Sequence, residues 1–197
     1  MNPRPRMLIA SDLMNLEQYA RDREAFRASV IEHKRYRTVA VGPNMTWVFE
    51  DRLTIQYQVQ EMLRIERIFE PAGIQEELAA YNPLIPDGSN WKATMMIEYP
   101  EPSERAAALA SLRGVEDCCY VEAGGCGRVM AIADEDLERE NAEKTSAVHW
   151  LRFELPGAMQ VAIRAGAPVS AGVDHPAYGH RTHLSAATVE SLTRDLG

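Results

Sequence analysis

The fold class is decided by residues 91–123, WKATMMIEYPEPSERAAALASLRGVEDCCYVEA, in which the hydrophobic pattern changes twice. WKATMMIEY predicts a strand, and DCCYVEA predicts a second one. Between them EPSERAAALASLRG predicts a helix that Gly114 ends. Strand, helix and strand in succession are typical of a domain that packs helices against a sheet.

The same element types continue towards the C-terminus. GRVMAIA predicts a strand after the Gly124-Gly125 turn, SAVHWLRFEL another strand, PGAMQVAIRAG a helix and PVSAGVD a last strand, while the acidic run DEDLERENAEK is helix or loop. The order β-α-β-β-α-β predicts an α+β fold with a ferredoxin-like sandwich over about residues 91–175.

Residues 1–90 are predicted to add a helical layer and a β-hairpin to this sandwich (residues 91–197) within a single domain, 1–197. A first helical stretch begins at Ser11-Asp12 and a second runs from about Asp22 to Arg35. YRTVAVGPNMTWVFED then predicts a hairpin around Gly42-Pro43-Asn44. RLTIQYQVQEMLRIERIF predicts an amphipathic helix over Arg52–Phe69, and the short helix IQEELAAY leads into the turn-rich NPLIPDGSN.

Composition indicates a soluble globular protein. The 197 residues are 46% hydrophobic and 25% charged, with a formal net charge of −8 and a pI near 5.2, which argues against nonspecific binding to nucleic acid or anionic membranes. Apolar runs fall short of the about 20 residues that a bilayer requires, and MNPRPRMLIASDL lacks the apolar centre of a secretory signal. We therefore expect a cytoplasmic protein, and a homodimer because twofold assemblies are the commonest.

Three cysteines, Cys118, Cys119 and Cys126, fit a reducing compartment, because an odd number cannot form a closed disulfide framework. Their spacing, C-C-x6-C, matches no common zinc or iron–sulfur signature. These thiols are interpreted as structural or incidental.

Glu66 is the most informative single residue. At about 100° per residue, the helix over Arg52–Phe69 places Ile55, Val59 and Met62 on one face, and Glu66 projects from the middle of that face. A carboxylate there must be paired, hydrogen-bonded, protonated or bound to a metal, because stranding a charge away from water costs at least several kcal/mol.

Three histidines also fall on predicted apolar faces. Strand alternation places His149 beside Leu151 and Phe153, and His175 continues the apolar face of the last strand, while His33 shares a helix face with Val30. Imidazole and carboxylate together suit iron, manganese or zinc. The hypothesis is a metal site of Glu66, His149 and His175, completed by Glu61 or His33.

Other interpretations of these residues remain open. A histidine on an apolar face is often a hydrogen-bonded core residue, and Glu66 could pair with Arg152, Arg52 or Arg35 as a buried ion pair. Diagnostic metal spacings such as H-x-x-E-H are absent from the sequence. The tail with His180 and His183 is predicted to be a surface loop, which offers only a weak second metal option.

The segment Asp87–Lys92, DGSNWK, offers a different chemistry. An Asx turn next to Lys92 could hold an anion, and Lys144-Thr145-Ser146 could join its polar rim. A plain turn into a strand explains the same residues, since they are ordinary turn formers and the frame of a phosphate loop is missing.

Four runs of the sequence carry a resemblance to a known family: WVFEDRLTIQYQVQEMLRIERIF, EELAAYNPLIPDGSNWKATMMIEYP, AIADEDLERENAEKTSAVHWLRFEL and AGVDHPAY. From roughly Met7 to its end, the chain resembles an uncharacterised bacterial family, known only as a domain of unknown function. Members are typically encoded beside rubrerythrin and an iron–sulfur oxidoreductase of the heterodisulfide-reductase type. The resemblance implies a peroxide-response or iron-redox setting with these proteins as candidate partners, and it supplies no catalytic residues.

The favoured functional hypothesis is an accessory protein of iron or peroxide redox metabolism that holds a non-haem metal, with iron favoured over zinc or manganese. Two alternatives stand beside it. One is a metal-free interaction module that docks on a redox partner through its acidic surface. The other is a small-molecule enzyme with a pocket formed by Asp87–Lys92, Lys144 and His149.

Overall fold

Six α-helices and nine strands occupy the residues described by a computed structural model, 7–135 and 144–197. The helices are α1 (Leu16–Lys34), α2 (Arg52–Glu66), α3 (Pro71–Tyr81), α4 (Pro102–Ser111), α5 (Gly157–Arg164) and α6 (Ala186–Thr193). The strands are β1 (Thr38–Ala40), β2 (Met45–Glu50), β3 (Asn90–Ile97), β4 (Cys119–Ala123), β5 (Gly127–Met130), β6 (Ile132–Ala133), β7 (Val148–Glu154), β8 (Val169–His175) and β9 (Tyr178–His183). Within those residues, no helix is both long and apolar enough to cross a membrane.

The strands form two antiparallel sheets. The first sheet has the order β1-β2-β3-β7-β6 and the second the order β5-β4-β8-β9. All the strand pairs are antiparallel, and in the first sheet Met95 of β3 lies opposite His149 of β7. The mixture of helices with antiparallel sheets confirms the predicted α+β class.

The ferredoxin-like topology is not confirmed. The strands that the sequence assigns to one sandwich lie in two sheets, with β3 and β7 in the first and β4 and β8 in the second. Helices α4 and α5 each carry the chain from the first sheet to the second, so neither returns it to the sheet it left. The sequence cannot distinguish a helix that returns the chain to the same sheet from one that carries it to another sheet. The order β-α-β is the same for both, because it gives the succession of elements along the chain and not the pairing of strands.

Both sheets contribute to one hydrophobic core. Alternation along the strands buries an aromatic group in the first sheet, in which Trp47 stacks on Phe153 with ring centroids 5.6 Å apart and Phe49 meets Trp91 edge-on at 6.0 Å. Such aromatic pairs contribute about 0.5–1.5 kcal/mol each beyond their buried area. The second sheet adds smaller side chains, among them Val121, Ala171 and Val173.

Helices α2 and α3 and the segments beside them form a second, smaller core, against which Leu16 of α1 packs; it consists of Leu8, Ile55, Val59, Leu63, Leu78 and Ile85. Here α1 is one continuous helix, so the two helices predicted around Asp22 are wrong. Its N-cap is Asn15, whose side chain accepts a hydrogen bond from the Gln18 amide, and no glycine or proline interrupts residues 16–34.

Arg37 joins the helical layer to the sheet and to the C-terminal segment after α6. Its guanidinium, 1% exposed, donates to the carbonyls of Phe49 and Glu50 and to the Asp195 carboxylate at 2.5 Å. Asp51, the N-cap of α2, lies 3.5 Å from the same guanidinium. One buried cation therefore ties together three separate parts of the chain.

Two predictions about turns and loops have opposite outcomes. The hairpin around Gly42-Pro43-Asn44 is confirmed, since β1 and β2 pair on either side of it and Gly42 takes a positive φ of 74°. The tail with His180 and His183 is exposed as predicted, but it is not a loop, because both residues lie on β9, which pairs with β8 along its whole length. The acidic run predicted as helix or loop lies largely at 136–143, outside the described residues.

Candidate metal centre

His149 is fully buried in the middle of the first sheet. It follows the predicted alternation of β7 and faces the core with Leu151 and Phe153. Its Nδ1 lies 2.6 Å from Oδ2 of Asp134, and its Nε2 lies 3.0 Å from the carbonyl oxygen of Ser146. Both nitrogens thus face oxygen atoms that accept hydrogen bonds, which is the environment of a ring protonated at both positions.

Asp134 reaches His149 from an uncommon backbone conformation. It follows β6 with a φ of 47°, in the left-handed region that aspartate enters more readily than most residues. Its amide donates to the carbonyl of Trp150 at 2.9 Å, and its Oδ1 accepts from the Trp150 amide at 2.8 Å. These two bonds to β7 fix the carboxylate beside the imidazole.

Glu116 supplies a second carboxylate from the connection between α4 and β4. It begins a short 3-10 helix, Glu116–Cys118, that follows α4 and precedes β4. Its side chain is buried, and its Oε2 lies 3.9 Å from Nε2 of His149. The buried hydroxyl of Thr145 lies between the two groups, 2.9 Å from Nε2 and 3.4 Å from Oε2.

The electrostatics of this cluster favour a positive charge at its centre. Burial lowers the pKa of His149, but the hydrogen bond to Asp134 and the charges of Glu116 and Asp134 outweigh it, so that the pKa is raised above its ordinary value. Two buried carboxylates need a compensating cation, because a buried negative charge without one is strongly unfavourable. The imidazolium ring can provide that charge, and so could a divalent metal ion.

Glu116, Asp134 and His149 are also the residues that could hold such an ion. Each offers one ligand atom, and these atoms lie within 4.8 Å of one another. Across the described parts of the chain, 7–135 and 144–197, no other three His, Cys, Asp or Glu residues are grouped in this way. One imidazole nitrogen and two carboxylate oxygens form a donor set suited to iron, manganese or zinc.

The prediction that Glu66 lies on a buried face is wrong, since it is an exposed residue. Helix α2 ends at Glu66 because Arg67 turns the chain into the left-handed conformation with a φ of 55°. The buried stripe of α2 ends at Leu63, and Phe69 is 68% exposed. The predicted apolar face extends one helical turn beyond the buried part of α2. Within the described residues, no other segment covers the turn that contains Glu66.

The Glu61 carboxylate is bound by two arginines and a tyrosine hydroxyl and is not part of the cluster around His149. Arg23 binds both of its carboxylate oxygens, at 2.7 and 2.9 Å, and Arg64 and the Tyr19 hydroxyl bind it from either side. The hydrogen bond from Arg23 is the main reason that the pKa of Glu61 falls to about 2. Glu61 thus holds α1 against α2.

The other two predicted histidines have local partners. His33 lies 2.6 Å from Asp51 Oδ2 and so belongs to the network of Arg37. His175, at the end of β8, donates from Nε2 to the Arg113 carbonyl and accepts at Nδ1 from the Ala177 amide. The predicted set of Glu66, His149 and His175 is therefore not assembled, although His149 itself is buried as predicted.

The predicted anion site at Asp87–Lys92 is an Asx turn that satisfies its own donors. The Ser89 amide and hydroxyl both donate to Oδ1 of Asp87. Lys92 donates to the Pro83 carbonyl and lines a cavity away from that turn, and Lys144 is exposed. The plain-turn interpretation is the better one.

Sequence reasoning missed Glu116 and Asp134. Each stands next to a predicted strand, and neither lies on an apolar face that would attract notice. Only the tertiary structure brings them to His149, because Glu116 comes from the α4–β4 connection and Asp134 from the end of β6. The single local signal is an aspartate directly after the short apolar run AIA.

Comparison with known proteins places residues 7–196 in one protein family. A family model described as "Protein of unknown function (DUF3501)" matches residues 7–196. The chain is also similar to a novel protein of unknown function from Burkholderia pseudomallei K96243, whose crystal structure is known. The two share 50% sequence identity and superimpose with a TM-score of 0.93, and the alignment covers 98% of this chain and 100% of that one. Curated proteins yield no match. These similarities carry no assigned activity.

Proposed function

Because this chain belongs to the DUF3501 family of proteins of unknown function, we propose a function from its own buried cluster: it holds a non-haem metal ion at Glu116, Asp134 and His149, with iron as the favoured metal. The observation that supports the proposal is the meeting of two carboxylates and one imidazole, from three separate parts of the chain, within 4.8 Å.

The donor set fits a metal of this kind. Iron, manganese and zinc accept imidazole nitrogen and carboxylate oxygen together, and the absence of thiolate from the described cluster disfavours sites of the iron–sulfur type. The Thr145 hydroxyl adds a further oxygen beside Glu116 and His149. The protein would also shield the ion from water on this side, since His149 and Thr145 are at most 1% exposed.

Each protein group has a definable role around such an ion. Glu116 and Asp134 would supply negative charge and oxygen ligands, and the bonds from Asp134 to the Trp150 backbone would keep its carboxylate in place. His149 would supply the nitrogen ligand after losing its second proton. An iron ion held there would supply one-electron redox chemistry.

The metabolic setting is the finer part of the proposal. The chain resembles a family whose members are typically encoded beside rubrerythrin and an iron–sulfur oxidoreductase. On that resemblance we propose a cytoplasmic iron or peroxide redox pathway, with those two proteins as partners. A pull-down with metal-loaded and metal-free protein tests this setting separately. Capture of either partner by the metal-loaded protein alone would support this setting. It would be contradicted if neither the metal-loaded nor the metal-free protein captured either partner.

Metal analysis of untagged protein tests the site. The protein is loaded in turn with Fe²⁺ under anaerobic conditions, Mn²⁺ and Zn²⁺, freed of excess metal, and measured by mass spectrometry. We expect about one equivalent of iron in the wild-type protein. Glu116→Gln, Asp134→Asn and His149→Gln, which keep the size of each side chain, should lose most of it.

Glu66→Gln and His175→Gln are matched controls, because the sequence predicts both residues as ligands and the structure places them outside the cluster. Both variants should retain the wild-type metal content. The proposal is wrong if the wild-type protein retains less than about a tenth of an equivalent of every metal, or if the three cluster variants bind as much as the controls. In either case the cluster is a buried ion pair.

A further inference from the structure

We propose that a second site, a cavity over the outer face of the first sheet, binds a small aromatic acid. This Trp150 cavity is lined by Trp150, Lys92 and Arg152 on the sheet and by Pro83 and Leu84 opposite them. It goes beyond the proposed metal site, because alternation along β7 directs His149 into the core and Trp150 to the other face.

The cavity has the size and the lining of a ligand site. Its volume is about 310 Å³, at the lower end of the range for small-molecule pockets. One wall comes from α3 and the short 3-10 helix after it, through Ala80, Pro83 and Leu84, and the sheet contributes Ile132 and Trp150. Most of this lining is apolar, so the body of the ligand should be apolar as well.

Two cations, Lys92 and Arg152, and one carboxylate, Glu135, line the cavity, and the two cations differ in how closely carboxylates contact them. Glu135 binds Arg152 through two hydrogen bonds of 2.6 and 2.7 Å, and Glu154 binds it through a third. Lys92 is different, since no carboxylate oxygen of residues 7–135 or 144–197 lies within 4.0 Å of its Nζ. Asp87, Glu135 and Glu154 attract this ammonium group only from a greater distance, so the cavity contains one cation that no described carboxylate contacts directly.

Lys92 has the capacity to bind an anion. Its ammonium group carries three N–H donors, and its hydrogen bond in the described structure goes to the Pro83 carbonyl. Burial is the main influence on this amine and lowers its pKa, because the charged form is held away from water. A ligand carboxylate beside Nζ would compensate that loss of hydration by a charge-assisted hydrogen bond.

Trp150 favours an aromatic ligand over an aliphatic one. Its indole is half-buried, and together with Leu84 it lines both this cavity and a neighbouring one, also of about 310 Å³. Flat rings stack on indole with a preference beyond the area that they bury. The predicted ligand class is thus a compact acid with one or two aromatic rings.

Binding of 2-naphthoate and of its neutral isostere 2-naphthamide tests the inference. Titrations follow tryptophan fluorescence in the presence of a chelator, which makes the result independent of the metal proposal. Trp47 and Trp91 are fully buried, so quenching should come mainly from Trp150. We expect saturable binding of naphthoate, about tenfold tighter than that of naphthamide.

Variants assign the binding to the cavity. Lys92→Met should weaken naphthoate about tenfold and leave naphthamide unchanged, while Ala80→Trp should abolish binding of both by filling the cavity. Arg164→Met, on α5 outside this cavity, is the control for a loss of surface charge and should bind as the wild type does.

Chemical-shift changes in wild-type protein keep the test valid even if a variant fails to fold. Shifts centred on Trp150 and Lys92 would support the site. The inference is overturned if naphthoate does not saturate, if it binds no better than naphthamide, if Lys92→Met changes nothing, or if the shifts centre elsewhere.

Discussion

Oδ2 of Asp134 lies 2.6 Å from Nδ1 of His149, and this contact joins the end of β6 to the centre of β7. The imidazole N–H donates to the carboxylate, so the ring cannot rotate without breaking the bond. Its other nitrogen is thereby directed at Thr145 and Glu116. The relationship between Asp134 and His149 thus organises the whole buried cluster.

Asp134→Asn should destabilise the protein in the absence of metal. It removes the charge that compensates the buried imidazolium, and breaking one side of a buried ion pair costs about 3 kcal/mol. Urea unfolding at pH 7 with a chelator measures the free energy of unfolding. Asp117→Asn is the matched control, because Asp117 is exposed beside Glu116, and it should change the free energy by less than about 0.5 kcal/mol. Equal values for the two variants would contradict a structural role for the Asp134–His149 bond.

Glu61→Gln should destabilise the protein in a pH-dependent way. The pKa of Glu61 in the folded protein is about 2, below its ordinary value of 4.5, because Arg23 and its other partners favour the carboxylate. A depressed carboxylate pKa stabilises the folded state above the unfolded pKa, and that stabilisation disappears as the pH falls from about 4.5 towards 2. Allowing for the partial exposure of Arg23, we expect a loss of about 2 kcal/mol at pH 7.

Urea unfolding of the wild type and Glu61→Gln at pH 7, 5, 4 and 3 measures this difference. It should be constant between pH 7 and 5 and shrink at pH 4 and 3. Glu66→Gln, on the exposed end of the same helix, provides the control and should show no such trend. A difference that grows as the pH falls would rule out this account of Glu61.

Local patterns in the sequence were enough for some of these features and not for others. The alternation of β7 predicts the burial of His149, and Gly42-Pro43-Asn44 predicts the hairpin, since both depend on neighbours in the chain. Periodicity places Glu66 wrongly, because it gives the buried face of a helix but not the residue at which packing against that face ends. Glu116 and Asp134 could not be found, because a polar residue beside a strand gives no sign of its distant partner.

Arg37→Met should cause a larger loss of stability than any surface substitution. The change leaves the buried carboxylates of Asp51 and Asp195 without their shared cation, which costs about 3–5 kcal/mol. Arg37→Lys keeps the charge but cannot reproduce the bonds to Phe49 and Glu50, so it should fall between the wild type and Arg37→Met. Urea unfolding measures all three proteins. A loss below about 1 kcal/mol for Arg37→Met would show that the network contributes little to stability.

Gly42→Ala should be more damaging than Gly125→Ala, although both glycines have a positive φ, 74° and 82°. A side chain in that conformation costs about 1 kcal/mol at either position. A Cβ at residue 42 would also lie 2.5 Å from the Tyr178 hydroxyl and from the His180 ring, whereas at residue 125 it would meet nothing within 4 Å. The clash would also disrupt a hydrogen bond, because the Tyr178 hydroxyl donates to the carbonyl of Val41 at 2.7 Å.

Thermal and urea unfolding of the two alanine variants measure this difference. We expect Gly125→Ala to lose about 1 kcal/mol and Gly42→Ala at least twice as much. Tyr178→Phe separates the clash from the backbone strain, because it removes the hydroxyl while keeping the ring. Added to Gly42→Ala it should cost less than it does in the wild-type protein, since the alanine already displaces that hydroxyl from Val41. Strictly additive losses would mean that the backbone conformation alone, and not the approach of β9 to the hairpin, requires glycine at residue 42.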